Sequence, residues 1–461
     1  MNDYGWFTII PICFVIIFSL KTRKTMLALL SGSLLSYIIV SGSDFLDQWT
    51  AAVYRAACDK EHIWVILVCG LFGSLITLIS ASHGTLAFAR WLEKRCKNAR
   101  STLFTTWILG IAIFIDDYLN ILTLSTCMKR ISDKRKIPRE ALAYIIDSTG
   151  APVCVLLPFS TWAIFFATLF YQDPHVAELG YGNALQTYIH VIPYIFYALT
   201  AVFIVPMFIF NIIPKLGGMK KAYERVEKTG NVYNEEDRSL NEEDIKEERE
   251  ESMLPEKASS LLDFLLPVGT LILITLISGE LLYAIIGSLL LCLIMYIPRK
   301  KMNFDRFCDL TMHGFCNMVP TLGIIFSAFI MQEALSDIGI AGFIINTLKP
   351  LISAEIFPFI AFISTAVLTF STGSSWGIPA ICIPILLPLG FSINASPLLV
   401  MAAIVSGATF GSHACFYSDA TVLTSSCLKI ENMEHATTQF PYAATAAFIC
   451  AGGYLLFGMI P

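Results

Sequence analysis

The sequence predicts an all-α membrane protein that crosses the bilayer several times, and its composition and hydropathy support this prediction. Apolar residues make up 56% of the 461 residues and charged residues only 15%, whereas a typical soluble domain is about a quarter charged. Mean hydropathy is +0.67, and apolar segments recur along the whole chain. A soluble enzyme and a disordered chain are excluded, and the net charge of −5 offers no basic surface for a nucleic acid.

Six apolar segments precede a charged loop and six follow it. They lie at about 5–20, 25–42, 62–82, 102–128, 141–170 and 184–213, and then at about 260–278, 281–298, 315–334, 357–388, 397–427 and 439–460. The loop, 214–258, holds 9 Lys or Arg and 13 Asp or Glu, so we expect it to be mobile. The predicted domains are a first membrane repeat at 1–213, this loop, and a second membrane repeat at 259–461.

Basic residues orient the segments across the membrane, because they accumulate on the cytoplasmic side. Clusters at 90–100 and 129–139 flank the single segment 102–128. We therefore predict that this segment is a re-entrant hairpin, which keeps both clusters and the central loop in the cytoplasm. Segment 357–388, whose flanks lack Lys and Arg, is predicted as a second hairpin that enters from outside. The alternative is that all twelve segments cross the membrane. One of the two basic clusters would then lie outside, against the charge bias.

A long interrupted segment follows each hairpin. Small or helix-disrupting residues lie at 148–152 within segment 141–170 and at 406–411 within segment 397–427. The first half is predicted to start outside and the second half inside. The two halves would then form an inverted repeat with broken helices, which is an architecture of secondary transporters.

Acidic residues inside the predicted membrane segments are the first candidates for chemistry. Ionised carboxylates are costly there, and without a nearby Lys or Arg their partner must be a mobile cation or a proton. Sodium prefers oxygen ligands, and a proton competes for the same oxygens because burial penalises the charged carboxylate. The cation-binding or proton-coupling candidates are Asp116, Asp117, Asn120, Asp147, Ser148, Thr149 and Asp419, with Na⁺ expected at Asp117 and Asp147.

Small polar residues in the second half offer hydroxyls, carbonyls or an imidazole to a substrate or a second cation. The candidates are Thr372, Gly373, Ser374, Ser375, Ser406, Ser412, His413, Ser418 and Thr421. The residues at 372–375 alternatively only satisfy a turn, and His413 is either a proton carrier or a hydrogen-bonded structural histidine. For the carboxylates, the alternative role is to cap the N-terminus of a half-helix.

Three runs resemble the NhaC-type Na⁺/H⁺ antiporters. They are 113–162, with IFIDDYLNILTLSTC and EALAYIIDSTGAP; 371–389, STGSSWGIPAICIPILLPL; and 407–443, with GATFGSHACFYSDATV. The resemblance implies the ion-transporter superfamily fold with two opposed re-entrant hairpins, a homodimer, and exchange of Na⁺ against H⁺. Some members of the family resemble malate/lactate exchangers.

The third run departs from the family pattern. Relatives usually read Gly-Asp-His-Cys-Ser-Pro where this chain has Gly-Ser-His-Ala-Cys-Phe, so Ser412 replaces an acidic residue. The departure motivates a second hypothesis, a Na⁺- or H⁺-coupled carrier of a small organic solute such as a carboxylate or an amino acid. The leading hypothesis is a Na⁺/H⁺ antiporter of the cytoplasmic membrane, with Na⁺ as coupling ion, no other cofactor and no enzymatic activity.

Overall fold

Helices account for 81% of the structure, a computed structural model, and the described residues contain no strand. The structure describes residues 4–22, 24–84, 87–88, 91, 96–114, 116–158, 160–171, 173–241, 260–278, 280–340, 343 and 353–460. Much of the basic cluster at 90–100 and all of 242–258 lie outside these residues.

The first half of the chain forms helices of very different lengths. They are α1 (Ile10–Thr22), α2 (Thr25–Ser41), α3 (Phe45–Cys58), α4 (Lys60–Ala81), α5 (Ala99–Ala112), α6 (Asp117–Lys134), α7 (Arg139–Thr149), α8 (Ala151–Cys154), α9 (Thr161–Phe170), α10 (Pro174–Ala177), α11 (Ala184–Val191) and α12 (Phe196–Ile209). Polar side chains fix several of the starts: Asn98 caps α5 and Ser160 caps α9, each accepting a backbone N–H of the first turn.

The central segment and the second half continue the helical pattern. Their helices are α13 (Gly217–Thr229), α14 (Leu262–Ser278), α15 (Leu281–Tyr296), α16 (Phe304–Asn317), α17 (Val319–Asp337), α18 (Phe357–Thr372), α19 (Gly377–Ser392), α20 (Pro397–Ala414), α21 (Asp419–Cys427) and α22 (Asn432–Gly458). Helix α18 ends at Gly373, whose φ of 71° is a left-handed conformation that suits glycine.

Several helical stretches have the length and apolar character of membrane spans. Among the described residues there are four: Met26–Cys58, His62–Ala81, Pro397–Cys427 and Asn432–Gly458. Two bent pairs of helices raise the number to six. The helices of both predicted hairpins are shorter than these spans, because each of the two sequence segments is interrupted near its centre.

In each predicted hairpin the two helices lie side by side, and the start of the first helix lies close to the end of the second. Arg135, just after α6, donates from Nε to the carbonyl oxygen of Cys96, just before α5, at 2.8 Å. A β-carbon on Gly390, near the end of α19, would lie 3.1 Å from Cε1 of Phe357 at the start of α18. The ends of each pair therefore lie close together, whereas re-entry into the membrane from one side is still a prediction.

Helix α7 lies between the two main clusters of buried apolar side chains. All eleven of its residues are buried. Tyr144 and Ile145 belong to the cluster that includes much of α18 and α20, while Leu142 and Ile146 belong to the cluster around α4, α6 and α15. The C-terminal end of α7, where Asp147 lies, is consequently held inside the protein on all sides.

Two predictions are corrected. The interruption predicted at 406–411 is absent: α20 runs unbroken to Ala414, and the break falls between Ala414 and Asp419. Gly407 and Gly411 instead allow close packing, since a β-carbon there would lie 2.7 Å from Cβ of Thr365 and 2.3 Å from Cβ of Thr369.

The central loop is the second correction, because its first part is not a mobile chain. Residues 217–241 contain α13 and a 3₁₀ helix, Glu235–Asn241, which contact the ends of α7 and α22. Arg225 and Asn241 contact the buried Glu140 and Arg139 there, and these contacts order a segment that is hydrophilic by composition.

Candidate functional site

Asp116 and Asp117 lie where α5 has ended and α6 begins, and their environments differ. Asp116 caps α6: its Oδ1 accepts from the backbone N–H of Leu119 at 3.1 Å, and its Oδ2 accepts from Oγ1 of Thr161 at 3.0 Å. Asp117 is equally buried, but its Oδ1 has no hydrogen-bond partner in the described part of the chain. A buried carboxylate oxygen without a donor is a ready ligand for a cation.

Asn120 presents a second open oxygen one turn along α6. Its Nδ2 lies 2.6 Å from the carbonyl oxygen of Gly110, 2.9 Å from that of Ile113 and 3.0 Å from that of Thr149. The amide is thereby fixed in orientation, and its buried Oδ1 has no partner among the described residues. Asn120 thus stabilises the turn through its side-chain nitrogen, while its side-chain oxygen is available to a ligand.

The break between α7 and α8 lies directly against Asp117. A β-carbon on Gly150 would be 3.6 Å from Cβ of Asp117 and 3.4 Å from the carbonyl oxygen of Asp147. The hydroxyl of Thr149 is occupied, since it donates to the carbonyl oxygens of Ile145 and Ile146. The carbonyl oxygen of Asp147 likewise accepts from the backbone N–H of Gly150 at 3.2 Å. The break therefore lies beside Asp117, but its threonine hydroxyl is not available to a ligand.

Asp419 connects the second half of the chain to this site. It is the first residue of α21, and its Oδ2 accepts a hydrogen bond from the hydroxyl of Tyr118, the neighbour of Asp117. Its Oδ1 accepts from the backbone N–H of Ala420 at 2.9 Å. The structure thus brings Asp116, Asp117 and Asp419 to one region, which we call the carboxylate cluster.

The centre of the second hairpin contacts the break before α21. Thr372 donates to the carbonyl oxygen of Leu368 at 2.8 Å, and Ser374 accepts from the backbone N–H of Gly377 at 3.1 Å, so both hydroxyls satisfy the turn. Ser375 Oγ is buried without a partner among the described residues. Gly373 lies against the ring of Tyr417. The rings of Trp376 and Trp162 have centroids 4.9 Å apart.

Asp147 has nitrogen donors around it. Its Oδ2 accepts from Nε2 of Gln439 at 2.6 Å and lies 3.2 Å from Nε2 of His435. His435 and Gln439 are one turn apart on α22 and both are buried. Asp147 is therefore held by two side chains of α22.

His413 contacts Ser148, the residue after Asp147, and Tyr197, in both cases through a hydroxyl group. Its Nε2 lies 3.0 Å from Oγ of Ser148, and its Nδ1 lies 2.7 Å from the hydroxyl of Tyr197. Its backbone carbonyl accepts from Nε2 of Gln439. Asp147, Ser148, His413, His435 and Gln439 form a buried group that we call the histidine cluster.

The remaining candidates are Ser406, Ser412, Ser418 and Thr421, and they differ in their hydrogen-bond partners. Ser418 caps α21 and donates to the carbonyl oxygen of Ser412 at 2.6 Å; Thr421 lies 2.9 Å from Ser418 Oγ. Ser412 Oγ is buried, with no partner in the part of the chain described here. Ser406 contacts Tyr454 at 2.7 Å and is not brought to either cluster by this hydrogen bond.

Sequence reasoning missed Tyr118, Thr161, His435 and Gln439. Tyr118 and Thr161 are hydrogen-bond partners of Asp419 and Asp116 and carry no signal of their own in the sequence. His435 and Gln439 do carry one, because polar residues four apart near an apolar segment share one face of a helix.

Gln439→Leu is expected to destabilise the protein by about 1.5 to 3 kcal/mol, since it removes a donor from a buried carboxylate while keeping most of the side-chain volume. Thermal unfolding of the detergent-solubilised protein measures the effect. Gln48→Leu, at an exposed position on α3, is the matched control and is expected to unfold near the wild-type temperature. Equal unfolding temperatures for both variants would show that the contact with Asp147 is energetically unimportant.

Buried carboxylates on interrupted helices, in a chain of apolar helices, define a membrane transport protein of the secondary type. The chain belongs to the Na⁺/H⁺ antiporter family, whose pattern matches residues 184–459. The resemblance to the NhaC type is thereby confirmed. Membership of this family indicates a transporter rather than an enzyme.

Two relatives extend this comparison. A Haemophilus influenzae protein described as "Uncharacterized protein" is 26% identical over 488 aligned positions, covering 98% of this chain and 90% of the relative. The "Malate-2H(+)/Na(+)-lactate antiporter" of Bacillus subtilis is 27% identical over 169 positions, covering 35% of each chain.

Proposed function

We propose that the protein is a secondary transporter that exchanges Na⁺ for H⁺ across the cytoplasmic membrane. The observation that carries the proposal is the buried Asp117, whose Oδ1 has no partner among the described residues. Asn120 supplies a second open oxygen, and the backbone at Gly150 lies alongside. This set of hard oxygen donors suits Na⁺, and a proton neutralises the same carboxylate when the cation leaves.

The proposed mechanism is alternating access. The hydrogen bond from Tyr118 to Asp419 joins the first hairpin to the second half of the chain, so loading of the carboxylate cluster affects both. In this proposal the repeats 1–213 and 259–461 are inverted, 102–128 and 357–388 are re-entrant hairpins, and the loop 214–258 is cytoplasmic. The protein works as a homodimer, with Na⁺ as coupling ion and no other cofactor.

Reconstitution into liposomes with a trapped pH indicator tests the exchange. A Na⁺ jump in solute-free buffer is expected to change internal pH, and the equivalent K⁺ or choline jump is expected to leave it unchanged. Liposomes without protein are the control. Absence of any Na⁺-dependent proton movement at pH 6 to 9 would overturn the proposed exchange.

A second candidate function is Na⁺- or H⁺-coupled transport of a small organic solute. Ser412, which replaces the acidic residue of the family pattern, has a buried hydroxyl without a described partner, and the relative from Bacillus subtilis is titled for malate and lactate. Adding each of these two acids to the liposome assay separates the candidates. Na⁺ movement that requires the acid would replace the antiporter proposal by this one.

A further inference from the structure

The first turn of α9 contacts the two adjacent aspartates of the carboxylate cluster. Oγ1 of Thr161 donates to Oδ2 of Asp116 at 3.0 Å. The next residue, Trp162, is fully buried, and its indole N–H lies beside Asp117 and is directed at the carboxylate. Two consecutive residues of α9 therefore meet the two consecutive aspartates at the start of α6, but only the first of them makes a complete hydrogen bond.

The contact between Trp162 and Asp117 pairs a donor with an acceptor that it does not yet satisfy. Nε1 of Trp162 and Oδ1 of Asp117 are both buried, and within the described part of the chain neither has a hydrogen bond of ordinary length and angle. An indole N–H only donates and an ionised carboxylate only accepts. Each group is costly to bury without a partner, and a small rotation of either side chain would complete the bond.

The indole N–H and a cation cannot share this carboxylate oxygen. The hydrogen of the N–H carries partial positive charge, and repulsion between positive charges is stronger in the protein interior than in water. Sodium takes its ligands from oxygen, and the indole nitrogen is a donor only, so it does not become a ligand itself. When Na⁺ binds Oδ1 of Asp117, Trp162 consequently has to turn its N–H away.

The ring of Trp162 also contacts the centre of the second predicted hairpin. Its centroid lies 4.9 Å from that of Trp376, the residue that precedes α19. Trp376 in turn meets Phe165, about one turn along α9 from Trp162, edge to face with centroids 4.8 Å apart. Aromatic rings in contact favour a few relative orientations. A rotation of Trp162 therefore changes the packing of Trp376.

We propose that Trp162 is a positioning residue that competes with the coupling cation for Asp117. Without Na⁺, its N–H donates to Oδ1 of Asp117. With Na⁺ bound, the indole turns away, and its altered contact with Trp376 transmits the occupancy of the first hairpin to the second. This inference deepens the proposed function and rests on the binding of Na⁺ at Asp117.

Trp162→Phe tests the competition, because phenylalanine keeps an aromatic ring and lacks the N–H. Loss of the competing donor is expected to tighten Na⁺ binding by about 3-fold to 30-fold, measured by isothermal titration with NaCl at constant ionic strength. Trp49→Phe is the matched control: its indole donates to Oγ of Ser33 at 2.9 Å, and wild-type affinity is expected. A side chain that only fills space would give weaker or unchanged binding in Trp162→Phe, and either result would overturn the proposal.

Hydrogen–deuterium exchange of the full-length protein tests the transmission to the second hairpin. Adding Na⁺ is expected to change protection of residues 372–377 in wild type and in Trp49→Phe, but not in Trp162→Phe, although this variant binds Na⁺. In the liposome assay, Trp162→Phe is expected to lower both the half-saturating Na⁺ concentration and the maximal rate. The same Na⁺-dependent change in protection in all three proteins, or an unchanged maximal rate, would overturn the transmission.

Since Trp162→Phe could fold poorly, nuclear magnetic resonance of the wild-type indole groups gives an independent measurement. One of the seven indole N–H signals is expected to move upfield when Na⁺ is added, and in Asp117→Asn without Na⁺, because its charged acceptor is lost in both cases. Identical indole spectra under all three conditions would overturn the competition. A wild-type protein that binds no Na⁺ would overturn the proposed function together with this inference, whereas wild-type binding that Trp162→Phe does not tighten would overturn this inference alone.

Discussion

Replacing Asp117 by asparagine is expected to weaken Na⁺ binding by roughly 2 to 5 kcal/mol, a loss of about 30-fold or more in affinity. The change keeps the side-chain shape but removes the charge from the buried carboxylate whose Oδ1 has no described partner. Isothermal titration with NaCl, or the Na⁺ dependence of thermal unfolding, measures the affinity.

The adjacent carboxylate provides the matched control for this substitution. Asp116→Asn makes the same chemical change, but both Asp116 oxygens already accept hydrogen bonds, from Leu119 and Thr161, and asparagine caps helices as well as aspartate does. We expect it to lose less Na⁺ affinity than Asp117→Asn, because it removes a nearby charge but no open ligand. If Asp116→Asn lost affinity and Asp117→Asn kept it, the assignment of the open ligand would be wrong.

Gly411→Ala is expected to lower the free energy of unfolding by at least about 1 to 3 kcal/mol, because the added methyl group has no room. A β-carbon at this position would lie 2.3 Å from Cβ of Thr369 and 2.8 Å from the backbone nitrogen of Phe370. Helices α18 and α20 would have to move apart, and the break that carries Asp419 would move with them. Thermal unfolding in detergent measures the loss.

Gly452→Ala is the matched control for Gly411→Ala. It also changes a glycine within a helix, but a β-carbon there meets no atom within 4 Å. Alanine is the better helix former by about 1 kcal/mol, so this variant is expected to be as stable as wild type or slightly more stable. Similar losses in both variants would contradict the packing argument.

The sequence predicts the helical membrane fold and the first break well, for an identifiable physical reason. Asp116 and Asp117 interrupt a long apolar run, and an aspartate followed by helix-forming residues caps a helix; the structure ends α5 at Ala112 and begins α6 at Asp117. Gly150 likewise falls between α7 and α8.

The second break shows why glycine alone is an ambiguous signal. Gly407 and Gly411 suggest an interruption, yet both lie inside α20, because close helix contact uses the same residue type as chain reversal. Only the partner helix α18 distinguishes the two roles, and no local pattern reveals that partner. The break falls instead at Cys415–Ser418, in front of the helix that Ser418 caps.

The partners of Asp147 and the order of residues 217–241 could not be predicted for a similar reason. Gln439 is separated from Asp147 by 292 residues and His435 by 288, and Arg225 finds Glu140 across 85 residues. Hydropathy and charge describe each segment by itself, so they classify residues 217–241 as part of a mobile, charged loop. The position of the half-buried Arg225 between carboxylates from two helices depends on the assembled fold.

The distance in sequence between Asp147 and its partners has a consequence for biosynthesis. At translation rates of roughly 5 to 20 residues per second, a nascent chain carries Asp147 for about 15 to 60 seconds before Gln439 is made. During that time the carboxylate lacks both donors from α22. Insertion of α22 therefore supplies the missing donors, and chains truncated before 435 should be recognised by quality control as unassembled.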